Sequence, residues 1–357
     1  MGATVRHWIS RPDVRFGAAA LSPALMLALG AVLGGGWAVL GFLWITLFPA
    51  LADRLSRRFG LDPVADPGVD SRRVALLVGA VHFPMLALAL HALSGGTGLG
   101  LFGWCFSFLG FGLWFGQVSN ATAHDLIHRG ARLPFRLGMW IYISLLYGHH
   151  TSAHRLVHHR FAATPDDPNS APRGESFPQF LIRAWPGEFM AGYEMENSLR
   201  EGRARKGADL HPYTVYLAGA AVFLLLAGFL FGPGGFAAYL LLCAHTHVQL
   251  LLSDYVQHYG LVRRKVAMDE YEPFGPEHSW DAPDIFSGLM MLNAPRHADH
   301  HLHPARPFDR LVLSPDGRTP LLPASLPVMA TVALLPPAWH RMMDRRVIAL
   351  EKARGRA

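Results

Sequence analysis

Three stretches of the chain, 16–52, 74–123 and 212–253, contain no Asp, Glu, Lys or Arg, and the segments between them are polar and rich in Arg. Each stretch is too long for one membrane crossing of about 20 residues and fits a pair. Each also carries an internal break of helix-stopping residues: Gly34-Gly35-Gly36, Ser94-Gly95-Gly96-Thr97-Gly98 and Phe231-Gly232-Pro233-Gly234-Gly235. The pattern predicts an all-α membrane protein whose six transmembrane helices form three hairpins, near 16–34, 37–52, 74–94, 99–121, 213–231 and 236–253. The second is short and is expected to extend into 53–58. Residues 133–150 are also apolar, but they follow Arg129 and Arg132 and run for only ~17 residues, so they read as a buried or interfacial helix.

The charges orient this arrangement. With the three uncharged breaks outside, the N-terminus and segments 53–73, 124–211 and 254–357 share one side and hold essentially every Lys and Arg. The positive-inside rule makes that side cytoplasmic. The expectation is one integral-membrane domain over 1–357, with cytoplasmic termini, in the inner membrane. Arg6, Arg11 and Arg15 precede an apolar block too long for a cleavable signal. Charged residues make up 16% of the chain, against roughly 25% in a soluble domain. Basic cytoplasmic loops then account for the net charge of +6 without nucleic acid as a partner. The only cysteines, Cys105 and Cys243, lie inside apolar stretches, so any thiolate-bound electron carrier must be a separate protein.

The chemistry is concentrated in histidines. His154-Arg155-Leu156-Val157-His158-His159 places three imidazoles in six residues. In an α-helix residues four apart lie ~40° apart, so His154 and His158 share a face and His159 points elsewhere. Two further clusters, His124-x3-His128 and His297-x2-His300-His301, and His258 bring the candidate metal ligands to nine. All of them fall on the cytoplasmic side of the predicted topology: His124 and His128 continue the fourth span, His258 lies about one turn past the sixth, and the other two clusters belong to cytoplasmic segments. Nine exceed what one ion takes, since structural zinc uses four ligands and catalytic zinc three. Two metals with four or five imidazoles each would use the set and leave positions open. Imidazole suits Zn, Cu, Fe and Ni, and redox chemistry on an apolar substrate favours iron. No Ser/His/Asp pattern or HExxH is present; His124-Asp125-x-x-His128 has Asp where a metalloprotease has Glu. Asp125, Asp166, Asp167, Asp254 and Gln257 are candidates to orient ligand imidazoles through hydrogen bonds. The loop Ala163-Thr-Pro-Asp-Asp-Pro-Asn-Ser-Ala171 reads equally as a helix stop or as part of that support. Asn293-Ala-Pro295 marks a helix start before His297. The isolated His7, His82, His91, His211 and His340 are expected to be structural or solvated.

At these motifs the chain resembles the integral-membrane, non-haem di-iron alkane 1-monooxygenases. The resemblance rests on His124-x3-His128, on His154-x3-His158-His159 followed by Ala163-Thr-Pro-Asp-Asp-Pro, on Tyr255-Val-Gln-His258-Tyr-Gly-Leu, and on Arg296-His-Ala-Asp-His-His301 followed by His303-Pro304. Phe48-Pro-Ala-Leu-Ala-Asp53, Gly174-Glu-Ser176, His278-Ser-Trp280 and Pro337-Ala-Trp339 extend it over most of the chain. The histidine boxes alone are shared with membrane fatty-acid desaturases and hydroxylases. The resemblance implies two iron ions held by the nine matching histidines, O2 as co-substrate, and electrons from rubredoxin and an NAD(P)H-dependent reductase. It also implies terminal hydroxylation of a medium-chain alkane or alkyl group to a primary alcohol. Lipid desaturation or hydroxylation and methyl-aromatic or terpenoid hydroxylation are the alternatives on the same scaffold. A metal-binding transporter or scaffold would instead require charged residues within the spans, and the three blocks have none. The chain departs from the family pattern at Asp125 and Gln257 for Glu, Asp254 for Asn, Ala153 for Glu and Glu277 for His. Gln257 is reminiscent of xylene monooxygenases.

Overall fold

Helices without charge on any side cannot hide an apolar face from water by packing in a soluble core, and they are stable only in lipid or deep inside a protein. The computed structural model, which describes residues 11–60, 71–201, 210–268 and 270–355, is built mainly of such helices. The expectations for His7, for the N-terminal residues and for 61–70 and 202–209 of the intervening segments lie outside the described residues.

Helix α1 (Pro12–Leu33) ends at Gly34, whose φ of 64° stops the helix and turns the chain back into α2 (Gly35–Ile45). The two pack so closely that a Cβ added to Gly30 would meet the Ala38 backbone at 2.9 Å, and one on Gly41 the Met26 carbonyl oxygen at 2.9 Å. After an interruption at Thr46, α3 (Leu47–Arg58) continues in the same direction. Helix α4 (Ser71–Leu93) leads through the Gly95 and Gly98 turns to α5 (Leu101–Trp114), which a π-helical turn at Phe115–Ser119 joins to α6 (Asn120–Ile127). Helix α7 (Arg132–Ser144) has 13 residues, too few to cross a membrane, and lies against α4 and α6. The short α8 (His150–Ala153), a second π turn at His154–His158 and α9 (His159–Phe161) follow. Then come α10 (Phe177–Arg200) and α11 (Pro212–His258). Gly232 interrupts α11 with φ 66°. A Cβ on Gly235 would lie 3.5 Å from the carbonyl oxygen of Ala227, eight residues back, which in a straight helix is ~12 Å away. The chain therefore reverses there. A small hairpin, β1 (Lys265–Ala267) with β2 (Glu270–Tyr271), precedes α12 (Ile285–Met290), α13 (His297–Leu302), α14 (Leu326–Ala333) and α15 (Pro336–Ala353).

Five of the described helical stretches are long and apolar enough to cross a membrane, counting the bent α11 once. Their outward faces carry Phe102, Leu225 and Phe229, 79%, 74% and 86% exposed, as helices surrounded by lipid would. The three glycine breaks gather at one end: Cβ atoms added to Gly34 and Gly234 would lie 3.5 Å from Leu99 and 3.8 Å from Ser94. At the other end the second reaches Arg58 and the fourth Ile127, as the expected extensions of these spans, and the last runs past its expected limit of 253 to His258, so His124 and His258 sit on rigid continuations of apolar helices.

The cap is fastened to this end by buried charge. Asp53, 2% exposed, accepts the Phe286 and Ser287 N–H groups at the start of α12, and Arg57 makes two bonds, 2.6 and 2.5 Å, to Asp284. The replacement Asp53→Ala leaves those donors without their acceptor and is expected to cost about 1–2 kcal/mol, read as a lowered midpoint in thermal unfolding of the detergent-solubilised protein. An unchanged midpoint would show that Asp53 does not fasten the cap.

Candidate metal centre

Nine histidines from four segments converge where the end of α6, the second π turn with the first residue of α9, the end of α11 and α13 meet. Their nitrogens sort into two groups, His124, His128, His154, His159 and His300 in one, and His158, His258, His297 and His301 in the other. Within each group the candidate ligand atoms lie within 4.8 Å of one another. The division into five and four uses all nine residues named from the sequence.

The π turn corrects one expectation. With the wider turn of a π-helix, residues five apart, not four, align. The Nε2 atoms of His154 and His159 accordingly stand 3.0 Å apart in one group, while the Nε2 of His158 belongs to the other. The rings of His154 and His158 still stack, with centroids 5.1 Å apart, but they serve different groups. The separation of His158 from His159 holds.

The spacing of the first group fits a cation better than hydrogen bonds. Nε2 of His154 lies 2.8 Å from that of His124 and 3.0 Å from that of His159, which in turn lies 3.1 Å from that of His300. One imidazole nitrogen offers a single proton or a single lone pair in the ring plane, so it cannot satisfy two such neighbours. Adjacent ligands at about 2.1 Å from a common metal ion stand about 3 Å apart. In the second group His297 and His301 repeat the spacing at 3.0 Å, and Nε2 of His158 and of His258 is buried with no hydrogen-bond partner among the described residues. Burial, the Arg155 guanidinium and nearby imidazoles push the His128 pKa down to about 3, and burial with the neighbouring imidazoles holds His154, His159, His297, His300 and His301 well below the usual value. These rings are neutral at pH 7 and their lone pairs are free to bind a metal.

The surrounding groups set the direction of the rings. Burial lowers the His158 pKa, but the Asp167 carboxylate outweighs it and raises it to about 9. Asp167 Oδ2 accepts the Nδ1 proton at 2.8 Å, which turns Nε2 towards its group. The carbonyl of His278 does the same for His258 Nδ1 at 3.1 Å. Helix α13 is held at its start by Asp281, fully buried, whose Oδ1 accepts the Ala298 N–H at 2.9 Å. Pro295 falls just before this helix, not in its first turn, because Leu292 and Asn293 take left-handed backbone angles that set the entry. The polar loop after the central cluster is therefore support as well as a helix stop. Asp166 lies on the exposed side of that loop.

The other candidates stand farther back. Asp125 is held by Arg129 and the Phe308 N–H, Gln257 bonds Ser253 and the Ala294 carbonyl, and Asp254 accepts from Asn169. None of the three makes a hydrogen bond to a ring nitrogen among the described residues. Sequence reasoning missed a buried network behind the cage: His150 Nδ1 is 2.5 Å from Glu188, which also receives Tyr147 and Asn169. Burial raises the Glu188 pKa, but His150 and Tyr147 outweigh it and hold it at about 2. The His149-His150 pair and a Glu in a buried row of α10 were the available signals. Ala153 lies against Gly192 of α10, beside this network. His82 bonds Ser119 and Ser144 in the core, His211 accepts from the Tyr213 N–H, and His340 meets the Tyr259 hydroxyl, as isolated structural histidines would.

Two of the cavities lie along the helices that carry His124 and His258. One touches Ala121, His124, His154, Leu250, Met291 and His297. The other, of ≈480 Å³, lies between α2, α3, α5, α11 and α14. It is lined by Gln117 and Gln249, each a helical turn before Ala121 and Ser253 of the first, so the two follow the same faces of the same helices.

Buried imidazoles at the end of membrane-type helices define a class, and comparison agrees: residues 98–329 match the family model described as fatty acid desaturase. Within that class the relatives are more particular. The chain is 31% identical over 312 residues to alkane 1-monooxygenase 1 of Pseudomonas aeruginosa, covering 83% of this chain and 80% of that one. It is 35% identical over 233 residues to the alkane 1-monooxygenase of Acinetobacter baylyi, covering 64% of this chain but only 56% of that enzyme. It is 26% identical over 235 residues to the xylene/toluene monooxygenase hydroxylase component of Pseudomonas putida, covering 64% and 60%. The chain belongs to the alkane 1-monooxygenase family. That family is one of membrane oxidoreductases with non-haem iron, and imidazole ligands suit that metal.

The Asp167 contact supplies a test. Removing a partner that orients a ligand imidazole costs about 10- to 100-fold in metal affinity. The variant Asp167→Ala is expected to lose iron to a competing chelator at correspondingly lower concentration, with the helical content unchanged. Equal retention of iron in the variant and the parent protein would contradict that role.

Proposed function

We propose that the chain is an O2-dependent hydroxylase that converts the end of a medium-chain alkane, or of an alkyl group, to a primary alcohol at two iron ions held by the nine histidines. The observation that carries this reading is the pair of histidine groups at the end of apolar helices, with an apolar cavity one helical turn away along the helices that carry His124 and His258. The names of the relatives support it. The bound irons would supply the redox chemistry that reduces O2 and places one of its oxygen atoms in a C–H bond. The chain itself orients the ligand rings through Asp167 and the His278 carbonyl, and burial keeps His154, His159, His297, His300 and His301 neutral. It guides an apolar chain to the cage along the helix faces that carry Ala121 and Leu250.

Six spans in three hairpins fit the helices: α1, α2 with α3, α4, α5 with α6, and the two arms of α11. The gathering of the three glycine breaks at one end supports this count. Arg57, Arg129, Arg160, Arg183 and Arg263 stand at the opposite end with the cage, so the positive-inside rule puts the cap in the cytoplasm of an inner-membrane enzyme. With both cysteines in the apolar helices, electrons come from a separate rubredoxin-type protein and its NAD(P)H-dependent reductase.

Membranes containing the iron-loaded protein, incubated with rubredoxin, its reductase, NADH, O2 and a panel of alkanes, alkylbenzenes and fatty acids, are expected to yield primary alcohols. Absence of any alcohol at an iron content near two per chain would sink the hydroxylase reading, and a new C=C bond without added oxygen would mark a desaturase. In the same membranes His158→Ala is expected to abolish turnover and lower iron content; unchanged iron would remove that residue from the ligand set.

A further inference from the structure

The ≈480 Å³ cavity is apolar except for a belt of nitrogen and oxygen groups across it. Gln117, in the first π turn, and His245 and Gln249, one turn apart on α11, line it among residues such as Phe42, Leu109 and Val328. Gln117 is 9% exposed, and neither its Oε1 nor the buried Nε2 of His245 has a hydrogen-bond partner among the described residues. The belt is held in place by glycines. A Cβ on Gly112 would strike the His245 ring at 2.8 Å, and one on Gly116 the Gln249 side chain at 2.3 Å. The backbone of α5 and of the π turn thus leaves room for polar side chains where larger residues would fill it.

A pure hydrocarbon in this cavity leaves both atoms unpaired, which is the costly way to bury a polar group. Oε1 of Gln117 can only accept a hydrogen bond, and a protonated Nε2 of His245 donates one. A hydroxyl group is the simplest partner that can serve either, giving its proton to an amide oxygen and receiving one from an imidazole N–H. We propose that the cavity selects a hydrocarbon carrying one hydroxyl group, bound at Gln117 and His245, with the C–H bond offered to the histidine cage at the far end of the chain. This rests on the hydroxylase reading and narrows its substrate class to alcohols of the fatty or terpenoid kind. Gln117 lies seven residues before His124, roughly 10 Å along the helix, so several carbons separate the hydroxyl from the reacting one. The product is a diol: one oxygen atom of O2 enters the C–H bond and the other leaves as water, with two electrons from the external donor and two protons.

The test is equilibrium binding of radiolabelled dodecanol and dodecane to the metal-loaded protein in lipid nanodiscs, with protein-free nanodiscs subtracted, alongside product analysis for both compounds. The parent protein is expected to bind dodecanol about tenfold more tightly than dodecane, the effect of one good hydrogen bond in an apolar site. In Gln117→Leu and His245→Leu that ratio is expected to fall towards one, with iron content reporting that the fold and cage persist. Equal binding of the two compounds by the parent protein, or a preference that survives in both variants, would overturn the proposal and assign the belt to bound water. Dodecane hydroxylated without any preference in binding sinks this inference and leaves the hydroxylase reading intact. A preference lost on substitution, with no oxygenated product from either compound, supports the alcohol site and sinks the hydroxylase reading.

Discussion

Neutral imidazoles repel one another little, but their nitrogens cannot be crowded together in a dry protein interior unless something accepts all the lone pairs at once. The spacing of Nε2 atoms at 2.8 to 3.1 Å along His124, His154, His159 and His300 is that situation. Most of the chain outside the apolar helices serves to create it. Four separate elements have to deliver rings to one volume, and each is anchored independently. Continuous apolar helices anchor the first and third, while the second is backed by the Asp167 loop and the fourth by Asp281 and the Asn293 turn.

The two π turns link the fold to this constraint. An α-helical His154-x3-His158-His159 would direct its first two histidines to one metal. Widening that single turn moves His159 beside His154 and frees His158 for the second group. The other π turn, at Phe115–Ser119, lies in the helix that carries His124 and His128 and sets Gln117 on the cavity wall. Such turns cost helix hydrogen-bond geometry, and they occur most often where side-chain placement matters more than local stability.

Much of this arrangement is legible in the sequence. The charge-free blocks and their glycine breaks located the apolar helices and two of their reversals, because Gly34 and Gly232 take positive φ angles that other residues avoid. The nine histidines were legible because several imidazoles on neighbouring helical turns have few other uses. One helix end was less legible: the fourth span was expected to continue into His124, but nothing in the hydropathy pattern says that the sixth will continue through Asp254 to His258. The π turn left no trace in the sequence at all, since it depends on tertiary contacts with α10 and on the demand of the two sites. Glu188 and His150 escaped notice for a similar reason. Each looks like an ordinary polar residue until burial makes the two into a pair 2.5 Å apart.

The account stands or falls on two metal ions with different histidine sets. Mössbauer spectroscopy of the protein loaded with enriched iron tests this most directly. Two quadrupole doublets of equal area are predicted, with His128→Ala altering one and His258→Ala the other. A single iron per chain, or both substitutions acting on the same doublet, would contradict the division of the cage into five and four.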